Sequence, residues 1–393
     1  MVSSTTHPHS TPAHDAPRLD GLRAIAATLV VLTHSGFLSG QYYNGQVGAF
    51  LARSDVGVPI FFALSGFLLS RSWARKEPGR PGLRRYFRHR FWRIAPAYWV
   101  ALVAVLLTTA HGTDFAAIAS NFSLTQVYSN DLLPSFSQTW SLCAEVAFYL
   151  ALPLIAPWAL ASDAVNPFRS SIKRCLVLCL VAWTWLGFFT LVGAGNTAGA
   201  LTQWAPGHLD WFAAGIILAR FEPQVRTRLQ ALPRGSILAH PGTLMLGAIA
   251  LFWLAMTPLA GPRDLSTPSV FSALTREILY AAIAGLAVLA ALTDASADTW
   301  WGRTLQSPFM KWAAEISYAV FLWHLLVLQG LRNLFGFADF TGNWFFLAVL
   351  TLIVSAAIAQ LSVWLVERPS MRIARRGDPQ RKNQPSQQAA ATQ

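Results

Sequence analysis

Ten stretches of this chain are each apolar over roughly the twenty residues a helix needs to cross the hydrocarbon core of a bilayer, and short segments carrying most of the charge separate them. They lie near residues 20–39, 56–72, 92–110, 140–161, 173–193, 204–220, 242–260, 276–293, 313–333 and 344–366. The second and sixth are short, which predicts a tilted, kinked or partly re-entrant segment. Inside hydrocarbon, backbone polar groups have no water to bond, so runs of this length fold as helices whose hydrogen bonds close within the segment. The expected fold is therefore an all-α polytopic membrane protein with about ten transmembrane helices. Composition agrees: 54% of residues are hydrophobic and 12% charged, against about 25% charged in soluble domains.

The net charge of +12 is compatible with nucleic-acid binding only if the arginines form a basic stripe on a soluble surface. They sit instead in the gaps between apolar runs, so no nucleic-acid partner is expected. If the N-terminus is cytoplasmic, 25 of the 30 Lys and Arg residues fall in cytoplasmic segments. Only Arg53, Arg263 and Arg276 fall outside, and Arg23 and Arg332 lie within spans. That bias is the signature of the positive-inside rule. It predicts a multi-pass protein of the inner (plasma) membrane, solvated by membrane lipids, with both termini cytoplasmic.

Residues 1–17 are rich in Ser, Thr, His and Pro and lack the basic start and apolar core of a signal peptide. They are expected to be a disordered arm, with residues 18–372 the membrane domain and 373–393 a disordered tail. Cys143, Cys175 and Cys179 lack metal-ligand spacing and read as small apolar residues. The long gap from His111 to Thr139 is the natural place for a lid or re-entrant piece over a binding site.

Ionisable side chains inside spans are costly, so each marks a functional hypothesis. Arg23 and His34 are eleven residues apart, which places them on one helix face roughly 16 Å apart along the axis. An imidazole can act as general base on a hydroxyl near neutral pH, and Arg23 can bind an anion or set its electrostatics; packing roles bonded to neighbouring helices are the alternative. Arg84 to Trp99 interleaves arginines with aromatics. Arg90 and Arg93, three apart, would share a helix face and suit either lipid headgroups or the phosphates of a nucleotide-bearing donor. Glu145 needs a partner in its apolar helix, and His34 or an arginine is the candidate. His324 lies mid-span, where it lines the same cavity or packs, and His208 with Asp210 could rim an outer acceptor site.

Together these residues resemble the acyltransferase-3 family of membrane O-acyltransferases. The resemblance is carried by Arg23 and His34 after Asp20-Gly-Leu, Phe61-Phe-Ala-Leu-Ser-Gly-Phe67, Arg90-Phe-Trp-Arg93, Trp140-Ser-Leu-Cys-Ala-Glu145 and Ser317-Tyr318 to His324, in order from Pro17 to Arg372. It implies transfer of an acyl group, usually acetyl, from cytoplasmic acyl-CoA, a co-substrate with no metal required, to a hydroxyl of a small-molecule or glycan acceptor such as a macrolide or surface glycan. His34, Arg23 and Glu145 are then the catalytic candidates, Arg90 and Arg93 the CoA-phosphate anchors, and His324, Tyr318 and Asp210 the acceptor contacts. Many relatives carry an Asp where Val58-Pro59-Ile60 stands, so that role is vacant here or moved, with Asp55 the nearest acid. The soluble hydrolase-like domain of some relatives is not expected. The competing reading, a transporter or flippase for a glycan or drug-like molecule, would use the same buried charges along a pathway, although the chain shows no pair of related halves.

Overall fold

The computed structural model describes residues 17–74, 82–161, 167–193, 201–231, 240–293 and 299–376, and these form helices and connecting turns with no strand among them. The helices are α1 (Pro17–Leu38), α2 (Gly45–Arg53), α3 (Gly57–Ala74), α4 (Leu83–Thr108), α5 (Phe115–Phe122), α6 (Gln126–Ser129), α7 (Trp140–Leu160) and α8 (Pro167–Val192). They continue as α9 (Leu209–Ala231), α10 (Pro241–Ala255), α11 (Val270–Leu292), α12 (Trp300–Leu305), α13 (Pro308–Leu334) and α14 (Trp344–Ser362). The last runs through a π-helical turn, Val363–Glu367, into α15 (Arg368–Arg375). The N-terminal arm and the tail beyond Arg376 lie outside the described residues.

Each of the ten apolar runs falls on a helix, and among the described residues eight helical segments are long and apolar enough to cross a membrane. The other two are α9, whose second half carries Arg220, Glu222 and Arg228, and α10, only fifteen residues long. The short run at 56–72 belongs to a longer segment: α2 leads through one 3-10 turn into α3, giving 27 residues from Gly45 to Arg71. The run at 204–220 is the front of a longer helix, since a 3-10 turn over Ala205–His208 opens into α9.

Helix starts are fixed by the orphan amides they must satisfy. Ser269 caps α11 by accepting from the Ser272 amide, Ser307 caps α13 by accepting from Met310, and Asn343 caps α14 by accepting from Phe345 and Phe346. Leu150, Leu154, Leu180, Leu191, Leu246, Ile353 and Leu365 are each more than half exposed. On a soluble protein such a surface promotes aggregation; on a bundle in hydrocarbon it is the lipid face.

Without a hydrophobic drive between helices, close approach depends on small residues. A Cβ on Gly66 would lie 2.3 Å from the Phe212 carbonyl oxygen, and one on Gly215 would lie 2.0 Å from that of Ala63, so α3 and α9 touch backbone to backbone. The central element is α1, which contacts α3, α11, α13 and α14. Two buried guanidiniums pin the loops at the His34 end of the bundle. Arg53 donates to the carbonyls of Ala255 (2.9 Å) and Ala260 (3.1 Å), and Arg332 to Asp339 (3.0 Å) and the Ala338 carbonyl (2.8 Å).

Candidate active site

Three cavities follow one another through the bundle, linked by shared wall residues. At the end carrying Arg85 and His89, a cavity of about 260 Å³ is walled by Trp73, Tyr86 and Arg90 as well. Arg90 and Leu68 also line a narrow second cavity of about 80 Å³, with Arg23, Arg93, Glu145 and Tyr318. Val58 lines both that cavity and a third, of about 490 Å³, which holds His34.

The narrow cavity is built by charge. Arg23, one turn into α1, stands 3.9 Å from Asp20; Arg93 on α4 stands 3.7 Å from Glu367, at the π-turn after α14. The Arg90 guanidinium lies 5.7 Å above the Tyr149 ring, and its Nε is buried with no hydrogen-bond partner among the described residues. Three guanidiniums converging on one slot, one with an unmatched buried donor, fit a phosphate-bearing ligand, because such a donor costs free energy until an anion accepts from it. Opposite them, Glu145 on α7 accepts hydrogen bonds from Ser65 of α3 and from Tyr149 one turn along its own helix.

The wide cavity is built by rings. Phe37, Tyr42, Trp140, Trp211 and Tyr280 line it with His34, and its polar groups include Asp55, Asp264 and Arg263. Tyr42 is tied to α1 by its hydroxyl, 2.5 Å from the Thr33 hydroxyl and 2.9 Å from the Thr33 carbonyl. Asp55 accepts a hydrogen bond from Tyr280. Pro134, Ser135 and Ser137 contribute wall from the 111–139 connection. Near the end of that connection Gln138 donates to the Leu322 carbonyl at 3.0 Å, tying it to α13.

A model of the acyltransferase domain matches residues 17–360. The chain belongs to the acyltransferase-3 family of membrane O-acyltransferases. It is similar to acyltransferase MdmB of Streptomyces mycarofaciens, 27% identical over 390 residues that cover 92% of this chain and 93% of the relative. Nodulation protein 10 of Rhizobium leguminosarum bv. viciae is 24% identical over 383 residues, covering 90% and 93%. Peptidoglycan O-acetyltransferase OatA of Listeria monocytogenes is 24% identical over 380 residues, covering 90% of this chain but 55% of that enzyme, so the chain spans about half its length. No solved structure matches the chain. Membership in an acyltransferase family replaces the transporter reading.

In this acyltransferase the residues singled out from sequence divide between compartments instead of forming one cluster. Arg23, Arg90, Arg93, Glu145 and Tyr318 line the narrow cavity, and His34 lines the wide one. Arg23 is three turns of α1 from His34, roughly 16 Å along the axis, so it is no hydrogen-bonding partner to the imidazole. Glu145 makes no hydrogen bond to His34 among the described residues: its Oε1 accepts from both Ser65 and Tyr149, and it lines the narrow cavity while His34 lines the wide one. Tyr318 donates to the Ile94 carbonyl at 3.0 Å on the arginine side of Val58, away from the compartment expected for it.

His324 is fully buried and lines none of these cavities; it contacts His34 directly, with Nε2 3.3 Å from His34 Nδ1. Asp210 is not at a rim. It is buried, accepts from the Trp183 indole at 3.0 Å and lies behind the wide cavity with His208, which stacks on Trp211 at 4.3 Å between ring centroids. Both brace the cavity wall. Asp55 does line the wide cavity, whereas Pro59 lines none of the three. Cys143 and Cys175 are buried and Cys179 half-buried, all as free thiols. The sequence reading missed Tyr149, which its i, i+4 spacing from Glu145 could have revealed, and the aromatic wall residues Tyr42, Trp211 and Tyr280, which carry no local signal.

Proposed function

We propose that this protein transfers an acyl group, acetyl by the likeness to its relatives, from acyl-CoA to a hydroxyl of a glycosylated acceptor, with the arginine end of the bundle facing the cytoplasm. The observation that carries this reading is the series of cavities. A charged, aromatic pocket shares Leu68 and Arg90 with a narrow arginine-lined slot, which in turn shares Val58 with a roomy aromatic chamber containing an imidazole. A nucleotide thioester has matching parts: a phosphate-rich head, a thin arm and a reactive tip. Guanidiniums of Arg23, Arg90 and Arg93 hold the phosphates and arm, and the thioester lies at Val58. The chamber's rings offer flat faces to an acceptor with an apolar body, and Asp55 offers a carboxylate to its hydroxyls.

In the reaction, the acceptor oxygen attacks the thioester carbonyl carbon while its proton passes to His34. The tetrahedral intermediate then collapses, the C–S bond breaks, and the departing thiolate takes the proton from His34, leaving the ester and free CoA. The acceptor class rests on the aromatic wall and on the relatives, one of which is named for acetylating peptidoglycan.

The test is mass spectrometry of a panel of methyl glycosides, a glycosylated macrolide and peptidoglycan fragments, each incubated with purified protein and acetyl-CoA in detergent. A mass gain of one acetyl group on one of these acceptors is expected, and His34→Ala should reduce it by roughly 10²- to 10⁴-fold, the span of general-base catalysis. Wild-type turnover in that variant would remove His34 from the chemistry.

A further inference from the structure

The position of His324 is explained by neither donor nor acceptor binding. It has no exposed surface and lines none of the three cavities, yet its ring stands 5.0 Å from that of His34, centroid to centroid and tilted by 56°. We propose that His324 is a positioning residue that fixes the protonation form and orientation of His34, leaving the His34 Nε2 lone pair free in the acceptor chamber. The proposal rests on the assignment of His34 as general base and adds how that base is prepared.

His324 Nδ1 lies 2.8 Å from the Phe321 carbonyl oxygen and 3.2 Å from that of Val320. Carbonyl oxygens only accept, so Nδ1 carries the proton, and in a neutral ring Nε2 is then an acceptor. That acceptor faces His34 Nδ1 at 3.3 Å, and the same His34 nitrogen lies 2.8 Å from the Val30 carbonyl oxygen. With two acceptors around it, His34 Nδ1 is the protonated nitrogen and shares its hydrogen between them. No hydrogen bond to His34 Nε2 occurs among the described residues, so this unprotonated atom is the one an acceptor hydroxyl can reach.

The opposite tautomer is excluded by the same contacts. If His34 carried its proton on Nε2, its Nδ1 lone pair would oppose the Val30 oxygen at 2.8 Å. Donation from His324 Nε2 would then be needed to relieve it, leaving His324 Nδ1 bare against two carbonyls. One arrangement satisfies every contact; the other leaves repulsive pairs in a buried site, where unmet polar groups are expensive. No carboxylate makes a hydrogen bond to His34 among the described residues. The neutral imidazole of His324 therefore takes the orienting place that an acid fills in many base triads, which lets the base act without a buried charge beside it.

The spacing of α13 makes this possible. Tyr318 and Phe321 line the donor slot and Leu325 and Gln329 line the acceptor chamber, so His324 falls on the helix face that α1 crosses between them.

The test is ¹⁵N NMR of histidine-labelled protein in detergent, with the His34 signals assigned as those lost in His34→Ala. Wild-type His34 is expected to be protonated at Nδ1 and bare at Nε2 near neutral pH. In His324→Leu, which leaves the Val30 carbonyl as the one remaining acceptor at His34 Nδ1, the Nε2-protonated share of His34 should rise, and His324→Gln, whose amide oxygen can reach the Nε2 position, should reverse that rise. Acetyl transfer measured alongside should fall in His324→Leu by roughly ten- to a hundredfold in kcat, the usual worth of a partner that orients a histidine. The KM for acetyl-CoA should stay within about twofold, and His324→Gln should recover most of the loss. A wild-type His34 protonated at Nε2 would overturn the proposal, and so would an unchanged His34 tautomer in His324→Leu. Should the leucine variant not fold, the wild-type spectrum alone decides. Turnover surviving in His34→Ala overturns the base assignment instead, and the NMR readout, which needs no turnover, separates the two failures.

Discussion

The two compartments that meet at Val58 are made of different materials. The arginine-lined side, where we place the donor, is narrow, about 80 Å³, and its chemistry comes from long charged side chains on regular helices: Arg23 of α1, Arg90 and Arg93 of α4 and Glu145 of α7. The aromatic side, where we place the acceptor, is about six times larger, and its walls come largely from connections and helix ends, including Tyr42, Pro134, Ser135, Ser137 and Arg263 to Leu265. A fixed ligand with phosphates can be held by guanidiniums on rigid helices, whereas a surface assembled from loops can change its acceptor without disturbing the donor. The likeness of this chain both to a Streptomyces acyltransferase and to a Listeria peptidoglycan O-acetyltransferase fits that division.

If the division is real, substitutions on the two sides affect different constants. Val58→Trp, at the boundary, should leave acetyl-CoA binding within about threefold while lowering transfer by roughly a hundredfold, because a displaced thioester loses its attack geometry. Comparing calorimetric Kd with kcat checks this, and unchanged kcat would mean that the cavities do not communicate there. Arg90→Ala should weaken acetyl-CoA by about ten- to a hundredfold, matching 1.5–3 kcal/mol for hydrogen bonds to a charged group, and leave the acceptor KM alone. Measured by titration at two ionic strengths, the wild type should also lose affinity with salt more steeply than the variant. Trp140→Ala should do the reverse, raising the acceptor KM by about two- to tenfold for a lost aromatic contact of 0.5–1.5 kcal/mol, with donor affinity intact. Equal effects of Arg90→Ala and Trp140→Ala on both substrates would dissolve the comparison.

The unequal legibility of the two sides in the sequence follows from the same physics. Helical spans announce themselves by length and apolarity, so each of the ten apolar runs lies on a helix and eight of those helices are long enough to span, and the charged residues of the arginine-lined cavity stood out because charge within an apolar run is costly. Which ionisable groups meet was hidden. Glu145 is a candidate partner for His34 by sequence, yet in the fold it lines a different cavity and bonds Ser65 and Tyr149, because partner choice in a bundle depends on helix rotation that spacing along one chain does not report. The run of α9 ended early in the sequence reading for another reason: Arg220 and Glu222 break the hydropathy, yet the helix continues and buries Glu222 against Arg71 at 2.9 Å. The acceptor walls were the least visible, since Tyr42, Trp211 and Tyr280 look like any interfacial aromatic until tertiary structure gathers them.

Acetyl-CoA binding to purified His34→Ala, set beside its rate of transfer, measures the separation of donor site from base most directly. The account predicts that this variant binds acetyl-CoA with a Kd within about twofold of wild type while its transfer falls by roughly 10²-fold or more. Loss of acetyl-CoA binding together with transfer would place His34 in the donor site and contradict the account.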